Sequence, residues 1–374
     1  MKVFIQSIYG QILLTAYVAW RGYSAVPARR AWRIPYLLFF ILEVGIFLFG
    51  YFFRNDLPDA VMLPLMMLCN TWYIASLYLT IGLVFLELLR LGDRFFHWFP
   101  AFIRQNMLLV KRVLFVLFII GDVCLMVHAY RTVMNPVVKH VYLSVPKGSS
   151  SRDSLRIVMM SDLHIGEVIQ KPLVQKQVSL CNAQHPELVV LVGDIMDYES
   201  RWAENAHIED DLRRLDAPLG VFIVNGNHEY RANIHAKRKW LRKVGTLLID
   251  SVASPDSTFL LIGRDDFVNK KRKALHELIA GKDTTLPTIV LDHQPWSFSE
   301  MRMLGIDLGL HGHTHNGQLW PYPLVMKFIY ECPYGYYRKG PTQHYVSSGV
   351  GCAGPPYRVG TLSEIVVLHI KFCP

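Results

Sequence analysis

Leu155-Arg156-Ile157-Val158-Met159-Met160-Ser161-Asp162-Leu163-His164 divides the chain into two unlike halves. Arg156 to Met160 is short, apolar and partly β-branched, the pattern of a buried strand. Ser161 to His164 breaks it with two polar side chains, Asp162 and His164, spaced so that a strand-end loop aims both inward. Long apolar runs precede this stretch. Of the 15 histidines, 13 follow residue 130.

The 374 residues leave room for two domains, and 52% hydrophobic content is high for a wholly soluble protein, so a membrane portion is expected. The net charge of +9 is uneven: residues 1–130 hold 11 Lys/Arg against 6 Asp/Glu, and the rest hold 28 against 24. So small an excess in the second half argues against a nucleic-acid footprint, and no nucleic-acid partner is expected. None of the 6 cysteines forms a CxxC pair. Cys69 and Cys124 sit in apolar runs and read as small buried side chains. A Cys332–Cys352 disulfide stays open for an oxidising compartment.

Four apolar runs, Val3–Trp20, Ile34–Phe53, about Met62–Leu86 and Val113–Tyr130, predict four transmembrane helices. They form an all-α membrane domain over residues 1–135, with a catalytic domain over 136–374. Arg21, Arg29, Arg30 and Arg33 share a side with Arg90, Arg94, Arg104, Lys111 and Arg112. Lys2, Arg54, Arg131, Lys139 and Lys147 face them, with Asp56 and Asp59 beside Arg54. The more basic side is cytoplasmic, so a multi-pass protein of the cytoplasmic membrane with an extracytoplasmic catalytic domain is expected. Phe95-Phe96-His97-Trp98-Phe99 suits a headgroup-level aromatic anchor. Glu43 and Asp122 fall within spans, where a carboxyl either lines a polar cavity or is hydrogen-bonded between helices.

Pro136–Pro146 reads as a strand leaving the membrane. Beyond it, short apolar runs alternate with helical stretches. Strands are expected at Glu187–Val192, Gly220–Val224, Thr246–Ile249, Thr258–Ile262, Thr288–Leu291, Leu308–Leu310, His344–Ser347 and Glu364–Ile370. Helices are expected at Pro172–Gln184, Asn205–Leu215 and Asn233–Val244. This is an α/β domain. Strand after strand ends in Asp, Asn or His: Asp162-Leu-His164, Gly193-Asp194-Ile-Met-Asp197, Asn225-Gly-Asn227-His228-Glu229, Asp292-His293-Gln-Pro295 and Gly312-His313-Thr-His315. Such residues at the carboxyl ends of parallel strands converge on one crevice. Imidazole plus carboxylate without thiolate suits Mn, Fe, Zn, Co or Ni, and two such divalent ions can clamp both oxygens of an in-line phosphoryl displacement.

These motifs, with Gly312-His-Thr-His-Asn-Gly-Gln-Leu-Trp-Pro321 and Tyr345-Val-Ser-Ser-Gly-Val-Gly351, give a chain that resembles the calcineurin-like metallophosphoesterase superfamily over Leu155–Ile370. The membrane-associated bacterial branch is the most similar. The resemblance implies a four-layer α/β/β/α sandwich. It implies one metal on Asp162, His164, Asp194 and His315 and a second on Asp194, Asn227, His293 and His313, with Asp194 bridging. His228 matches the family's non-ligand histidine, which protonates the leaving oxygen. The implied reaction is phosphoester hydrolysis by a metal-bridged hydroxide. Asn316 departs from the branch, where glycine is expected. Arg264, Asp266 and Arg358 are further candidates for contact with substrate, and Lys270–Lys273 reads as a solvated start of a helix. His311 reads as core or as a support of the metal motif.

Four spans exceed what a tether needs, so a membrane lipid or lipid-linked phosphoester is the expected substrate. A cytoplasmic site would instead suit a lipid-A-precursor nucleotide pyrophosphatase of the UDP-diacylglucosamine type. The rivals are a signalling or scaffold protein with a vestigial site, and a nuclease, which the charge disfavours.

Overall fold

The computed structural model describes residues 2–53 and 57–374, so Arg54 and Asp56 lie outside the described residues. The chain divides into two compact units, Met1–Ala129 and Tyr130–Pro374.

The first unit is helical: α1 (Lys2–Tyr23), α2 (Arg30–Phe52), α3 (Asp59–Phe96), α4 (Ala101–Gln105) and α5 (Met107–Met134). Unbroken apolar runs of this length favour helix because each backbone group finds its partner within the segment. Pro35 and Pro64 are carried inside α2 and α3. The four expected spans are all helical. Two of them, Arg30–Gly50 and Asp59–Phe96, are long and apolar enough to cross a membrane. That corrects the expected four: α1 breaks its apolar run with Gln11 and Thr15, and α5 carries Lys111, Arg112 and Asp122. Glu43 takes the interhelical role. Its carboxyl accepts from Gln11 Nε2 at 2.9 Å and Thr15 Oγ1 at 3.4 Å, and Trp72 Nε1 donates to Thr15 at 2.9 Å, tying α1, α2 and α3 together. Phe95, Phe96 and Trp98 are exposed, as an interfacial anchor requires.

The second unit contains β1 (Val137–Pro146), β2 (Ser154–Met160), β3 (Leu188–Val192), β4 (Val221–Val224), β5 (Thr246–Leu248), β6 (Ser251–Ala253), β7 (Leu260–Gly263), β8 (Thr288–Leu291), β9 (Leu308–His311), β10 (Gly335–Lys339), β11 (Thr342–Val346) and β12 (Glu364–Cys373). They form two six-stranded sheets, β1-β12-β2-β3-β4-β5 and β10-β11-β9-β8-β7-β6. β2 to β5 run parallel in the first, and β7, β8, β9 and β11 in the second.

Side-chain alternation along β2 explains the layering. Leu155, Ile157 and Met159 join Val190, Leu261, Leu291, Leu310 and Leu368 in the core between the sheets. Val158 and Met160 point the other way, to Val174, Val178 and Cys181 of α6 (Lys171–Asn182) and to Trp240 and Leu241. The second sheet buries Ile262 and Val290 under Leu275, Leu278 and Met301. The result is helix, sheet, sheet, helix, the mixed α/β sandwich that the sequence predicts.

Three local expectations change. The helix expected over Asn205–Leu215 is two short ones, Arg201–Asn205 and Ile208–Leu212, because His207 adopts φ 50° between them. Lys270–Lys273 is turn, not helix, and Arg272 reaches inward to Asp292 Oδ1 at 3.1 Å. Cys332 and Cys352 are both buried free thiols, so the disulfide does not form. Each thiol faces its own local packing.

Ile157 is fully buried between the sheets. Ile157→Ala is expected to destabilise by about 2–5 kcal/mol, the cost of a lost side chain plus its cavity. A thermal melt followed on the full chain should fall by several degrees, while Met303→Ala, at 72% exposure, leaves it unchanged. Equal melts would contradict the layering.

Candidate metal centre

The loops after β2, β3, β4, β8 and β9 leave from the same edge of the two sheets and carry Asp162 and His164, Asp194, Asn227 and His228, His293, and His313 and His315 respectively. Asp162, His164, Asp194, His313 and His315 all have φ between 50° and 72°. A non-glycine residue in the left-handed region costs about 1–3 kcal/mol, and such residues persist only where the surroundings hold them. Here the turn after each strand must reverse within one or two residues to aim its side chain inward.

Three trios form: Asp162, His164 and His315; His164, Asp194 and His228; and Asp194, His293 and His313, their ligand atoms within 4.8 Å of one another in each. His164 Nε2 lies 3.1 Å from His315 Nε2, and His315 Nε2 3.4 Å from Asp162 Oδ1. His293 Nε2 lies 3.2 Å from Asp194 Oδ2, with His164 Nε2 3.8 Å from the same oxygen. Asp194 thus belongs to two of the trios. His293 Nδ1 donates to Val192 O at 2.8 Å, which turns Nε2 toward the Asp194 carboxylate.

Two observations test whether metal ions fit. Asn227 Oδ1 is buried without a hydrogen-bond partner, and His293 Nε2 has the Asp194 carboxylate 3.2 Å away. An acceptor left so beside a cluster of imidazoles and carboxylates suits metal ligation. Imidazole nitrogens about 3 Å apart also suit neighbouring ligands on one ion, each about 2.1 Å from it. The residues fit.

Electrostatics carries the same mark. Burial alone would raise the Asp194 carboxyl, yet His293, His228 and His164 hold it well below the usual range. His313 is pushed down to about 3, chiefly by burial and then by His293. Close packing leaves no room for extra atoms: a Cβ on Gly312 would stand 2.5 Å from Asp162 Oδ2, and one on Gly226 would strike Asp194 Oδ1.

His228 lies within reach of His164 and Asp194 but is turned by a different partner. Its Nδ1 bonds Asp197 Oδ1 at 2.6 Å, and its Nε2 is 4.0 Å from Asp194 Oδ2. The residues named for substrate contact are all buried. Arg358 donates to the carbonyls of His315 and Gly351, at 3.2 and 2.9 Å, and to that of Ser348. Arg264 is committed to Glu300 at 2.6 Å and Ser297 at 3.1 Å. Asp266 accepts from Gln294 Nε2 at 2.9 and 3.1 Å, and burial pushes it up to about 6. Their geometry suits holding loops in place. His311 does likewise, with Nδ1 2.7 Å from Asp292 O. Asn316 has φ 50°, a left-handed conformation that glycine adopts at less cost.

Three residues had no role assigned from sequence. Glu229 accepts the backbone N–H groups of Asp194, Ile195, Met196 and Gly226 at 2.6–3.0 Å, welding the loops after β3 and β4. Asp197 orients His228, and Lys237 Nζ donates to His228 O at 2.7 Å and Asp197 O at 3.0 Å. Glu229 and Asp197 were visible as polar residues ending the second and third strand motifs. Lys237, in a separate helix, left no such signal.

A family model described as calcineurin-like phosphoesterase matches residues 155–317. An uncharacterized metallophosphoesterase of Campylobacter jejuni is 31% identical over 271 residues, 70% of this chain and 71% of its own length. One of Helicobacter pylori is 32% identical over 222 residues, 58% of this chain and 60% of its own length. A zebrafish (Danio rerio) protein described as a transmembrane protein with metallophosphoesterase domain is 28% identical over 401 residues, 98% of this chain and 89% of its own length. Taken with the converging loops and their paired trios, these likenesses establish that the chain belongs to the calcineurin-like metallophosphoesterase family and is a metal-dependent phosphoester hydrolase.

Proposed function

We propose that the chain is a membrane-anchored dinuclear phosphoesterase acting on a lipid-borne phosphate, phosphodiester or pyrophosphate. The observation that carries the chemistry is that one Asp194 oxygen lies 3.2 Å from His293 Nε2 and 3.8 Å from His164 Nε2, within reach of a ligand of each ion. Asp162, His164, Asp194 and His315 would hold one divalent ion, and Asp194, Asn227, His293 and His313 the other. Two such ions supply Lewis acidity toward the phosphoryl oxygens and an acidified water. His228 would act as the imidazolium, giving the Nε2 proton to the leaving oxygen, and Asp197, which accepts from Nδ1, favours that charged form against the burial that disfavours it. Glu229 keeps the Asp194 and Asn227 loops in register through the reaction. The donor set suits Mn, Fe, Zn, Co or Ni equally well.

The lipid substrate rests on the helical unit and on the likeness to the zebrafish transmembrane protein along nearly the whole chain. Were α1, α2, α3 and α5 all to cross with the basic loops facing the cytoplasm, the catalytic unit would lie outside, but among the described residues only α2 and α3 are long and apolar enough to do so. The count of spans decides the side. If only α2 and α3 crossed, the catalytic unit would share the side of Arg90, Arg94, Arg104, Lys111 and Arg112, and a nucleotide-linked lipid precursor would become accessible.

Asp194→Ala is expected to empty both metal positions, read by elemental analysis of the purified chain. His228→Ala should retain its metal and lose about 10²–10⁴-fold in turnover of a chromogenic phosphodiester. A fully active His228→Ala would remove His228 from the mechanism. Asp197→Asn should keep the metal and cost about 10–100-fold. An enzymatic reporter fused after Pro374 is expected to be active only inside the cytoplasm, as two crossings require, and activity only outside would mean that all four helices cross. Hydrolysis of detergent-dispersed phospholipid should exceed that of the soluble diester, and equal rates would sink the lipid assignment.

A further inference from the structure

The helical unit carries a partly open cavity of about 590 Å³. Its body is apolar and aromatic, with Tyr36, Phe40, Trp72, Leu83, Phe115 and Phe118 on its walls. The Tyr36 and Phe40 rings lie 4.9 Å apart, and those of Phe40 and Trp72 5.7 Å apart. Three cations also line it: Arg21, Arg90 and Lys111. Arg21 is near the carboxyl end of α1, Arg90 near that of α3, and Lys111 near the amino end of α5, so the cations collect at one end of the bundle.

Their charge is only partly offset. Glu87 accepts from both Arg21 and Arg90, one carboxylate against two guanidinium groups. Arg21 Nε is buried without a hydrogen-bond partner. Away from this end the cavity continues between α3 and α5. Arg90 and Leu79 both line it, as do Lys111 and Asp122; each pair is eleven residues apart on its helix, which is about 16 Å of helix. A long apolar slot under a cationic mouth matches a molecule with the same two ends.

We propose that this cavity binds an anionic long-chain amphiphile, its tail in the apolar slot and its phosphate on Arg21 and Arg90. Its volume lies within the ~300–1,000 Å³ of ordinary ligand sites. A zwitterionic lipid is disfavoured, because its headgroup cation would meet Arg90 and Lys111. The inference rests on the membrane anchoring proposed above and is independent of the hydrolytic chemistry.

The full chain in mild detergent is titrated with phosphatidic acid or with phosphatidylcholine of the same acyl chains, and bound lipid is counted by native mass spectrometry. Phosphatidic acid is expected to be retained about tenfold more tightly or better. Arg90→Gln should remove that preference while leaving weak, equal binding of both lipids. Leu83→Trp, which fills the slot, should lose both. Asp194→Ala should change neither, which separates this site from the metal cleft and a failure here from a failure of the hydrolase reading. Equal retention of the two lipids by the native chain overturns the proposal. So does a preference that survives Arg21→Gln with Arg90→Gln, or one abolished by Asp194→Ala.

Discussion

Asp194 is a carboxylate taken out of water and surrounded by imidazoles, with His293 3.2 Å and His164 3.8 Å from one oxygen. Burying a carboxylate is expensive unless positive charge or hydrogen bonds replace the lost water. Its other oxygen accepts from the backbone of His228 at 2.8 Å, so the loop after β4 is bound to the loop after β3 through the reactive group itself. The catalytic unit is arranged around keeping that crowd of donors in place.

Glu229 is the main device. Four backbone N–H groups converge on one fully buried carboxylate, and they belong to the two loops that present Asp194 and Asn227. Arg358 does the converse, donating to carbonyls of the loops around His315. One anion gathers N–H groups and one cation gathers C=O groups. Together they stabilise the strained, left-handed residues that aim the ligands inward.

The helical unit uses polar groups more sparingly. Glu43, Gln11, Thr15 and Trp72 form one hydrogen-bonded set within an otherwise apolar bundle. Arginines and a lysine gather at one end, where a bilayer would place headgroups. Helices that expose Leu37, Leu38, Phe39, Ile41 and Leu42 have no favourable contact with water, so the same side chains that would aggregate in solution suit a hydrocarbon solvent.

Much was legible in the chain because strands and their ends are local. An apolar β-branched run followed by Asp-x-His or Gly-Asp announces both the strand and the residue it delivers, and Asp162, His164, Asp194, His293, His313 and His315 fall into trios of neighbouring ligand atoms. Arg264, Asp266 and Arg358 are buried and bonded to neighbouring loops, which the sequence does not reveal, because a charged residue beside a motif looks the same whether it meets solvent or buried polar groups. Glu229, Asp197 and Lys237 needed the fold, since their partners lie in other loops. Sequence alone therefore determined the two-part organisation, the α/β character and the metal-binding residue types, all of which depend on period and composition. Only the tertiary structure decided which charges are buried, which atoms are left without partners and that Asp194 joins two trios. Those depend on distances between segments far apart in the chain, which no local pattern encodes.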